Sequence, residues 1–397
     1  MAQIKKVLDK DVVILGGGAS GLMCATFIKN RQVTILEKAD KIGKKILATG
    51  NGRCNLTNIH KDYSRYNDVR VKDYIERFSE IDTIEYFEKM GLVTYSDVEG
   101  RVYPRSDTAN SVLDVLRLKI DSMPNVEYMC GAMVSSVEET NHKYTIHLED
   151  MDIRCNTLVL GVGGKSGEAI LDALKVDYRP YRRSLGAVRS DKNIGLNGVK
   201  VDNVEVTLEI GNKKYSQNGE ILFKEDALSG IVVFNLSAYI ARENVDSAYM
   251  YINLLGDYTK DSLIDILTIR KNNMKEYKIR DYFIGLFHKA IYTSILNRMG
   301  IDVDRKVSSL KDSEIITMAD IITGYRVRVY DVCNNNQVYS GGVSLDNLTD
   351  KLCVKGRDGL YCMGELIDVD AECGGYNLQW AWTSGYIVGS NIDKLGK

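Results

Sequence analysis

Asp11-Val-Val-Ile-Leu-Gly-Gly-Gly-Ala-Ser-Gly21, with the apolar-spaced run to Asn30 and then Val33-Thr-Ile-Leu-Glu37, is the stretch that decides the fold. Asp11 to Leu15 reads as a buried parallel strand and Gly16 to Gly21 as a tight turn. Leu22 to Asn30 reads as a helix with apolar residues at Leu22, Met23, Ala25, Thr26 and Phe27, and Val33 to Leu36 as the next strand. Together they make one βαβ unit with an acidic residue, Glu37, at the carboxyl end of its second strand.

The turn matches G-x-G-x-x-G at Gly16, Gly18 and Gly21. Gly16 permits the sharp bend, Gly18 lets backbone amides approach a pyrophosphate, and Gly21 lets helix pack closely on strand. The phosphate then lies on the helix N-terminus around Ala19 and Ser20, where unpaired N–H groups and the dipole favour an anion. Glu37 stands at the distance where a carboxylate accepts hydrogen bonds from adenosine ribose hydroxyls, with Lys38 beside it. Its charge repels a 2′-phosphate, which argues for FAD or NAD over NADP here.

Working outward, 397 residues with 44% apolar content suffice for two or three domains. A formal charge of -2 indicates no global field for nucleic acid, membrane or polyanionic substrates. The eight cysteines lack C-x-x-C spacing or a nearby histidine cluster, against a zinc site or a secreted disulfide framework. The first residues resemble no signal peptide and no apolar run reaches membrane-spanning length, so the expected compartment is a reducing cytoplasm. His60, His142, His147 and His288 show no triad or metal spacing.

Residues 73–90 and 109–122 read as helices, and 126–160 as short strands forming a small antiparallel meander that returns to the parallel sheet through Thr157-Leu-Val-Leu160. The pattern is β-rich from 183 to 258, helical from about 260 to 323, and a strand again from Tyr325 to Val332. Gly359-Leu-Tyr-Cys-Met-Gly364 resumes a buried strand and glycine turn, and 378–391 is the closing helix. The expected organisation is a discontinuous FAD-binding domain (1–182 and 334–397), a β-barrel-like insert (183–258 and 324–333) and a helical subdomain (259–323). The fold class is α/β: a Rossmann-like, glutathione-reductase-like FAD-binding domain interrupted by that insert.

Lys44-Lys-Ile-Leu-Ala-Thr-Gly-Asn-Gly-Arg-Cys-Asn-Leu-Thr-Asn58 is too rich in glycine, amide and hydroxyl groups for a core element. It is either a solvated surface loop or a clamp for phosphate and flavin, with Lys44 or Lys45 near the pyrophosphate. Gly364-Glu-Leu-Ile-Asp-Val-Asp-Ala-Glu-Cys-Gly-Gly-Tyr-Asn-Leu-Gln-Trp-Ala-Trp-Thr-Ser-Gly385 favours the clamp. An acid after a buried strand and glycine holds ribityl hydroxyls, and Gly374-Gly375 before a helix aims amides and a dipole at flavin N1 and O2. Trp380 and Trp382 read as helix packing rather than as rings stacked on substrate.

These stretches, with Ser340-Gly-Gly-Val-Ser-Leu345, resemble the BaiN/RdsA family of bacterial FAD-dependent oxidoreductases, which also includes aminoacetone oxidases. The resemblance implies non-covalent FAD at Gly16 to Gly21, Glu37, the loop of Thr49, Gly50, Asn51, Arg53 and Cys54, at Val134, at Gly161, Gly163 and Gly164, at Glu365, and at Gly375, Tyr376, Asn377 and Leu378; Gly364 and Asp370 of the segment quoted above are read as cofactor contacts beside them. It places substrate on the flavin face beneath the insert. Two departures stand out: Ser166-Gly167 passes almost directly into a helix where the family has a longer loop, and Ala371 occupies the family's usual glycine.

A flavin carries the redox chemistry, so side chains need only orient substrate, tune the ring and deliver a proton. Candidate catalytic residues are Cys54, which is otherwise a structural thiol, Tyr376 and Asn377. Three activities follow from the resemblance: an NADH- or NADPH-dependent reductase of an activated C=C bond in a small molecule, an oxidase of a small amine that makes hydrogen peroxide, or a reductase of uridine in ribosomal RNA. No second G-x-G-x-x-G exists, so a nicotinamide donor binds transiently. The RNA reading needs a cationic surface, for which Arg179, Arg182, Arg183, Lys41, Lys44 and Lys45 are the tempting clusters. A non-enzymatic FAD-binding role is the remaining alternative.

Overall fold

Strand Lys6–Leu15 pairs in parallel with strand Val33–Glu37, with Val12 opposite Val33 and Leu15 opposite Leu36. The computed structural model, which describes residues 5–141, 143–192, 195–334 and 337–395, builds a sheet outward from this pair. Val126–Cys130 adds in parallel beyond Val33–Glu37, and Met151–Leu160 adds in parallel on the other side of Lys6–Leu15. Met151–Leu160 then forks. Its first half pairs antiparallel with Lys143–His147, while Leu158 to Leu160 pair in parallel with Leu360–Cys362. The strands at the sheet's centre are apolar without alternation because helices cover both faces: Val12, Val13, Ile14, Leu158, Val159 and Leu160 are all fully buried.

Several sequence-based expectations need correcting. The first helix spans Ala19–Thr26 rather than starting at Leu22, since Gly18 already occupies its N-cap. The helix expected over 73–90 is two helices, Val71–Ile75 and Glu80–Lys89. Ser79 separates them by accepting from Asp82 N while the Asp82 carboxylate accepts from Ser79 N, a reciprocal cap that outweighs the continuing apolar spacing. Val126–Cys130 belongs to the parallel sheet, so the antiparallel meander begins only at Ser136–Thr140. His142 lies outside the described residues.

The chain divides into two units, 1–182 with 338–397, and 183–337. In the second, Val188–Ser190, Ala227–Ser229, Lys213–Phe223, Lys200–Ile210, Ala248–Asn253 and Tyr325–Val332 close, in that order, into an antiparallel barrel. The stretch read as β-rich also contains helix Ile231–Glu243, whose Val232, Val233, Leu236 and Ile240 are buried. Three long helices, Lys260–Asn273, Lys289–Met299 and Asp312–Thr323, share one apolar core with the barrel through residues such as Leu267, Ile295 and Met318. No helix among the described residues is long and apolar enough to cross a membrane.

Candidate cofactor site

Three glycine turns leave the same carboxyl edge of the sheet because each begins by donating to the last residues of the neighbouring strand. Gly16 N donates to Leu36 O at 2.8 Å, Gly161 N to Leu15 O at 2.8 Å, and Met363 N to Leu160 O at 3.0 Å. The crevice outside the carboxyl ends of a doubly wound sheet is where such folds take ligands. Gly16 has φ 101°, and a Cβ there would stand 2.7 Å from Gly161 C, so the first two turns touch through bare backbone. Gly18 is different. Its φ is -85° and an added Cβ would meet no protein atom within 4 Å, so neither strain nor packing explains the glycine. What remains is a ligand's need for close approach to the start of helix Ala19–Thr26, where no side chain among the described residues caps the N–H groups of Ala19 and Ser20.

Glu37 ends the second strand with its carboxylate held in place. Oε2 accepts from Gly17 N and Oε1 from Ala39 N, both at 2.8 Å. A carboxylate has room for further donors, so ribose hydroxyls can be accepted without displacing either. Gly131 N donates to Ala39 O and Ala132 N to Glu37 O, which brings the segment carrying Val134 to this strand end. Lys38 reaches Ser166 Oγ at 2.9 Å, and Lys44 pairs with Asp40. The shortened connection forms a 3-10 turn, Lys165–Gly167, and then helix Glu168–Ala173.

Glu365 is the hub of the opposite side. Its Oε1 accepts from Tyr339 N at 2.8 Å, its Oε2 accepts from Gly164 N at 3.3 Å, and it pairs with Lys45. A Cβ on Gly163 would meet Glu365 Oε2 at 3.3 Å, so Gly163, Lys45 and Glu365 converge. Lys45 is therefore tied to the carboxylate expected at the ribityl chain, and Lys44 to a surface aspartate.

Helix Tyr376–Leu395 organises the rest. Trp380 Nε1 donates to Gly364 O at 3.0 Å and Ser384 Oγ accepts from Gly364 N at 2.9 Å, which pins the turn that carries Glu365. Trp382 Nε1 donates to Leu56 O at 2.9 Å, anchoring the strand that follows the loop of Thr49 to Cys54. Both indoles are buried and face protein, as helix packing requires. Leu378 is partly buried against the same core. Asp370 is buried and accepts from Ser340 Oγ at 2.9 Å, so it joins two of the motifs quoted above. Ala371 replaces the usual glycine without strain, because it forms an antiparallel bridge with Tyr66 and needs no left-handed backbone.

Two of the catalytic candidates are engaged by the protein itself. Cys54 is buried in the core and burial pushes its thiol up to about 11. Its neighbour Arg53 stacks on Tyr103 at 4.4 Å and faces Asp107 at 3.8 Å, so the guanidinium is engaged away from the thiol. Cys54 is thus a packed, protonated filler. Asn377 is committed at both ends of its amide to Ala371, whose N donates to Oδ1 at 3.0 Å and whose O accepts from Nδ2 at 2.8 Å. Tyr376 remains: its ring packs edge-on against Tyr66 at 5.8 Å and under Arg65 at 5.7 Å, and burial raises its hydroxyl above the ordinary value. Asn55 was not singled out in the sequence, yet its Oδ1 is buried with no donor among the described residues. Only the fold could reveal that, since amides are common in surface loops.

The residues present fit FAD: an uncapped helix start behind an unfilled glycine, a fixed ribose carboxylate twenty residues on, and a second pair of glycine turns ending in an acid and a long helix. This fold and site define an FAD-dependent oxidoreductase. The HI0933-like protein Rossmann domain matches residues 10–391, and the chain belongs to that family. It is 30% identical to a 3-dehydro-bile acid delta(4,6)-reductase of Clostridium scindens, over 95% of this chain and 97% of that protein. It is 27% identical to the ribosomal RNA dihydrouridine synthase of Escherichia coli, over 96% and 98% of the two chains. Among solved structures, 3-ketosteroid delta1-dehydrogenase from Sterolibacterium denitrificans has a TM-score of 0.54 at 12% identity, covering 98% of this chain and 100% of that one. Escherichia coli quinol fumarate reductase FrdA also gives 0.54, at 13% identity, covering 98% and 71%. At those identities the likeness is one of fold.

Proposed function

We propose that the protein is a nicotinamide-dependent flavin reductase that saturates an activated carbon–carbon double bond, conjugated to a carbonyl, in a small and largely apolar molecule. The observation that carries this reading is the state of the cations that a polyanionic substrate would need. Four of the six are paired within the protein: Arg179 with Asp368 at 3.8 Å, Arg183 with Asp331 at 2.9 Å, Lys44 with Asp40, and Lys45 with Glu365. Each pairing offsets part of the positive charge on which nucleic-acid binding depends. The relationship at 30% identity to a protein named as a bile-acid reductase supports the same substrate class.

FAD, when bound, supplies the hydride chemistry, and NADH or NADPH recharges it by transient binding. The chain's own part is to hold and to protonate. Glu37 and the start of helix Ala19–Thr26 hold the adenosine and pyrophosphate, while Glu365 and the head of helix Tyr376–Leu395 hold the ribityl and pyrimidine end. Tyr376, the first residue of helix Tyr376–Leu395, is the remaining candidate to deliver the proton to the substrate carbon alpha to the carbonyl.

The test is anaerobic stopped-flow absorbance of the FAD-loaded protein mixed with NADH or NADPH, followed by a steroidal enone. Bleaching by a nicotinamide and recolouring by the enone is the expected result. Bleaching by aminoacetone alone, with peroxide formed in air, would make it an amine oxidase. Recolouring by a uridine-containing ribosomal RNA fragment and not by enones would move the substrate to RNA.

A further inference from the structure

The barrel's outer surface gathers arginine and tyrosine. Alternation along Tyr325–Val332 buries Tyr325, Val327 and Val329 and turns Arg326, Arg328 and Tyr330 outward. The antiparallel register sets Arg328 opposite Tyr249 and Arg326 opposite Tyr251. On the other side Arg189 points outward between buried Val188 and Ser190, whose strand pairs with the same Tyr325–Val332. Helix Lys289–Met299 adds exposed Arg298, whose Nη1 donates to Arg326 O at 3.0 Å.

None of these four guanidinium groups forms an ion pair with a described carboxylate. Three acids of the same surface are engaged elsewhere: Glu209 with Lys214 at 2.5 Å, Asp331 with Arg183 at 2.9 Å, and Asp191 with the Tyr330 hydroxyl, from which it accepts. The arginines lie instead on rings, Arg326 over Tyr249 at 3.8 Å, Arg298 over Tyr325 at 3.6 Å and Arg328 over Tyr330 at 5.2 Å. Stacking fixes the plane of a guanidinium and leaves its edge N–H donors open, so part of the entropy of ordering a long side chain is lost before a partner arrives. Interfaces concentrate arginine and tyrosine and avoid lysine. Strands Val188–Ser190, Ala248–Asn253 and Tyr325–Val332 contain no lysine.

We propose that this face docks an extended acidic segment of a partner protein, with carboxylates two residues apart seated on Arg326 and Arg328. Alternate side chains of a strand stand roughly 7 Å apart, as do those of an extended peptide laid along it, so both forks take a carboxylate at once. A nucleic-acid face keeps its aromatic rings open for bases to stack on, whereas Tyr249 and Tyr325 already lie beneath guanidinium groups. A lipid surface asks only for positive charge, which lysine supplies as well. The site stands apart from the FAD reading, since all four arginines belong to the unit 183–337.

The experiment follows, by fluorescence anisotropy, the binding of a fluorescein-labelled peptide of alternating Glu and Thr to the FAD-loaded full chain at low and at raised ionic strength. Saturable binding that weakens with salt is expected, and Arg326→Gln with Arg328→Gln should weaken it by about tenfold or more. A peptide of the same composition arranged Glu-Glu-Thr-Thr, which never places two glutamates two positions apart, should bind several-fold more weakly. Arg326→Lys with Arg328→Lys keeps the charge and loses the fork, and its affinity should fall between wild type and the glutamine pair. Binding indifferent to the glutamine pair, or no binding to the wild type, would overturn the proposal. So would tighter capture of a single-stranded oligouridylate or of phosphatidylserine vesicles through the same two arginines, which would make the face one for RNA or for lipid. Melting temperatures equal to wild type establish that the variants fold; should the glutamine pair not fold, the lysine pair and the two peptides decide the matter.

Discussion

Glu37 shows what one side chain does for this site. It satisfies Gly17 N and Ala39 N and so fixes the turn whose amides face the pyrophosphate. Glu37→Ala removes two charge-assisted acceptors and the ribose partner, and should weaken FAD binding by about 2–4 kcal/mol in a fluorescence titration of apo-protein. Cys54 makes the opposite prediction. With its thiol buried and pushed up to about 11, it carries a proton throughout the working pH range. Cys54→Ala should therefore leave the pH profile of turnover unmoved; loss of an inflection would restore the thiol to the chemistry. Tyr376→Phe should slow enone-dependent reoxidation by roughly 10²-fold or more while nicotinamide-dependent bleaching keeps its rate. The dinucleotide glycines and Glu37 were legible because a pyrophosphate and a ribose impose a spacing on the chain itself. The status of Cys54 and Asn55 was not, because burial depends on residues far along the chain, and that of Asn377 was not because its partner Ala371, though only six residues away, is met only through the turn the chain takes between them.

At the scale of elements, helix Tyr376–Leu395 is the part that assembles the site, holding Gly364 through Trp380 and Ser384 and Leu56 through Trp382. Trp380→Phe removes one of the two donors to Gly364 O, leaving Ile367 N, which costs about 0.5–1.5 kcal/mol in urea unfolding, and FAD affinity should fall with it since Glu365 follows in the same turn. Helix Glu80–Lys89 provides a pH-dependent test. Glu80 is 4% exposed and its Oε2 has no donor among the described residues. Burial holds its carboxyl above the ordinary 4.5 against the opposing pull of its own backbone N–H and of Lys61, while Asp82 adds to the rise. Tyr63, Tyr66 and Tyr376 feel its charge. Because the folded value is raised, the stability contributed by the protonated form is present below 4.5 and is lost as pH rises through the folded value. Glu80→Gln should thus raise the melting temperature at pH 7 and leave it unchanged near pH 4. The break at Ser79 was legible in principle as S-x-x-D, but apolar spacing on both sides masked it.

For the whole molecule, two apolar clusters underlie the two units, one built on the parallel sheet and one shared by barrel and helices. Every residue assigned to FAD falls in the first unit, residues 1–182 and 338–397. Calorimetry should accordingly resolve two transitions. FAD at a hundred times its Kd adds about 2.7 kcal/mol to the unit that binds it, so one transition should climb with ligand concentration while the other stays in place. A single transition that moves as one would show that the two cores unfold together.

The order of strand, glycine turn, helix, strand and acid was determined by local sequence, because backbone approach to phosphate admits only glycine and buried parallel strands admit only apolar runs. The barrel's closure, the entry of Val126–Cys130 into the parallel sheet and the helix Ile231–Glu243 inside a β-rich stretch were decided by tertiary structure. Strand partners and register come from long-range burial that a local pattern does not encode. The same holds for the site's final shape: Gly364, Glu365 and Asn55 meet the first glycine turn's edge of the sheet only because a helix from the far end of the chain ties their loops together, through hydrogen bonds whose two ends lie more than three hundred residues apart at Leu56.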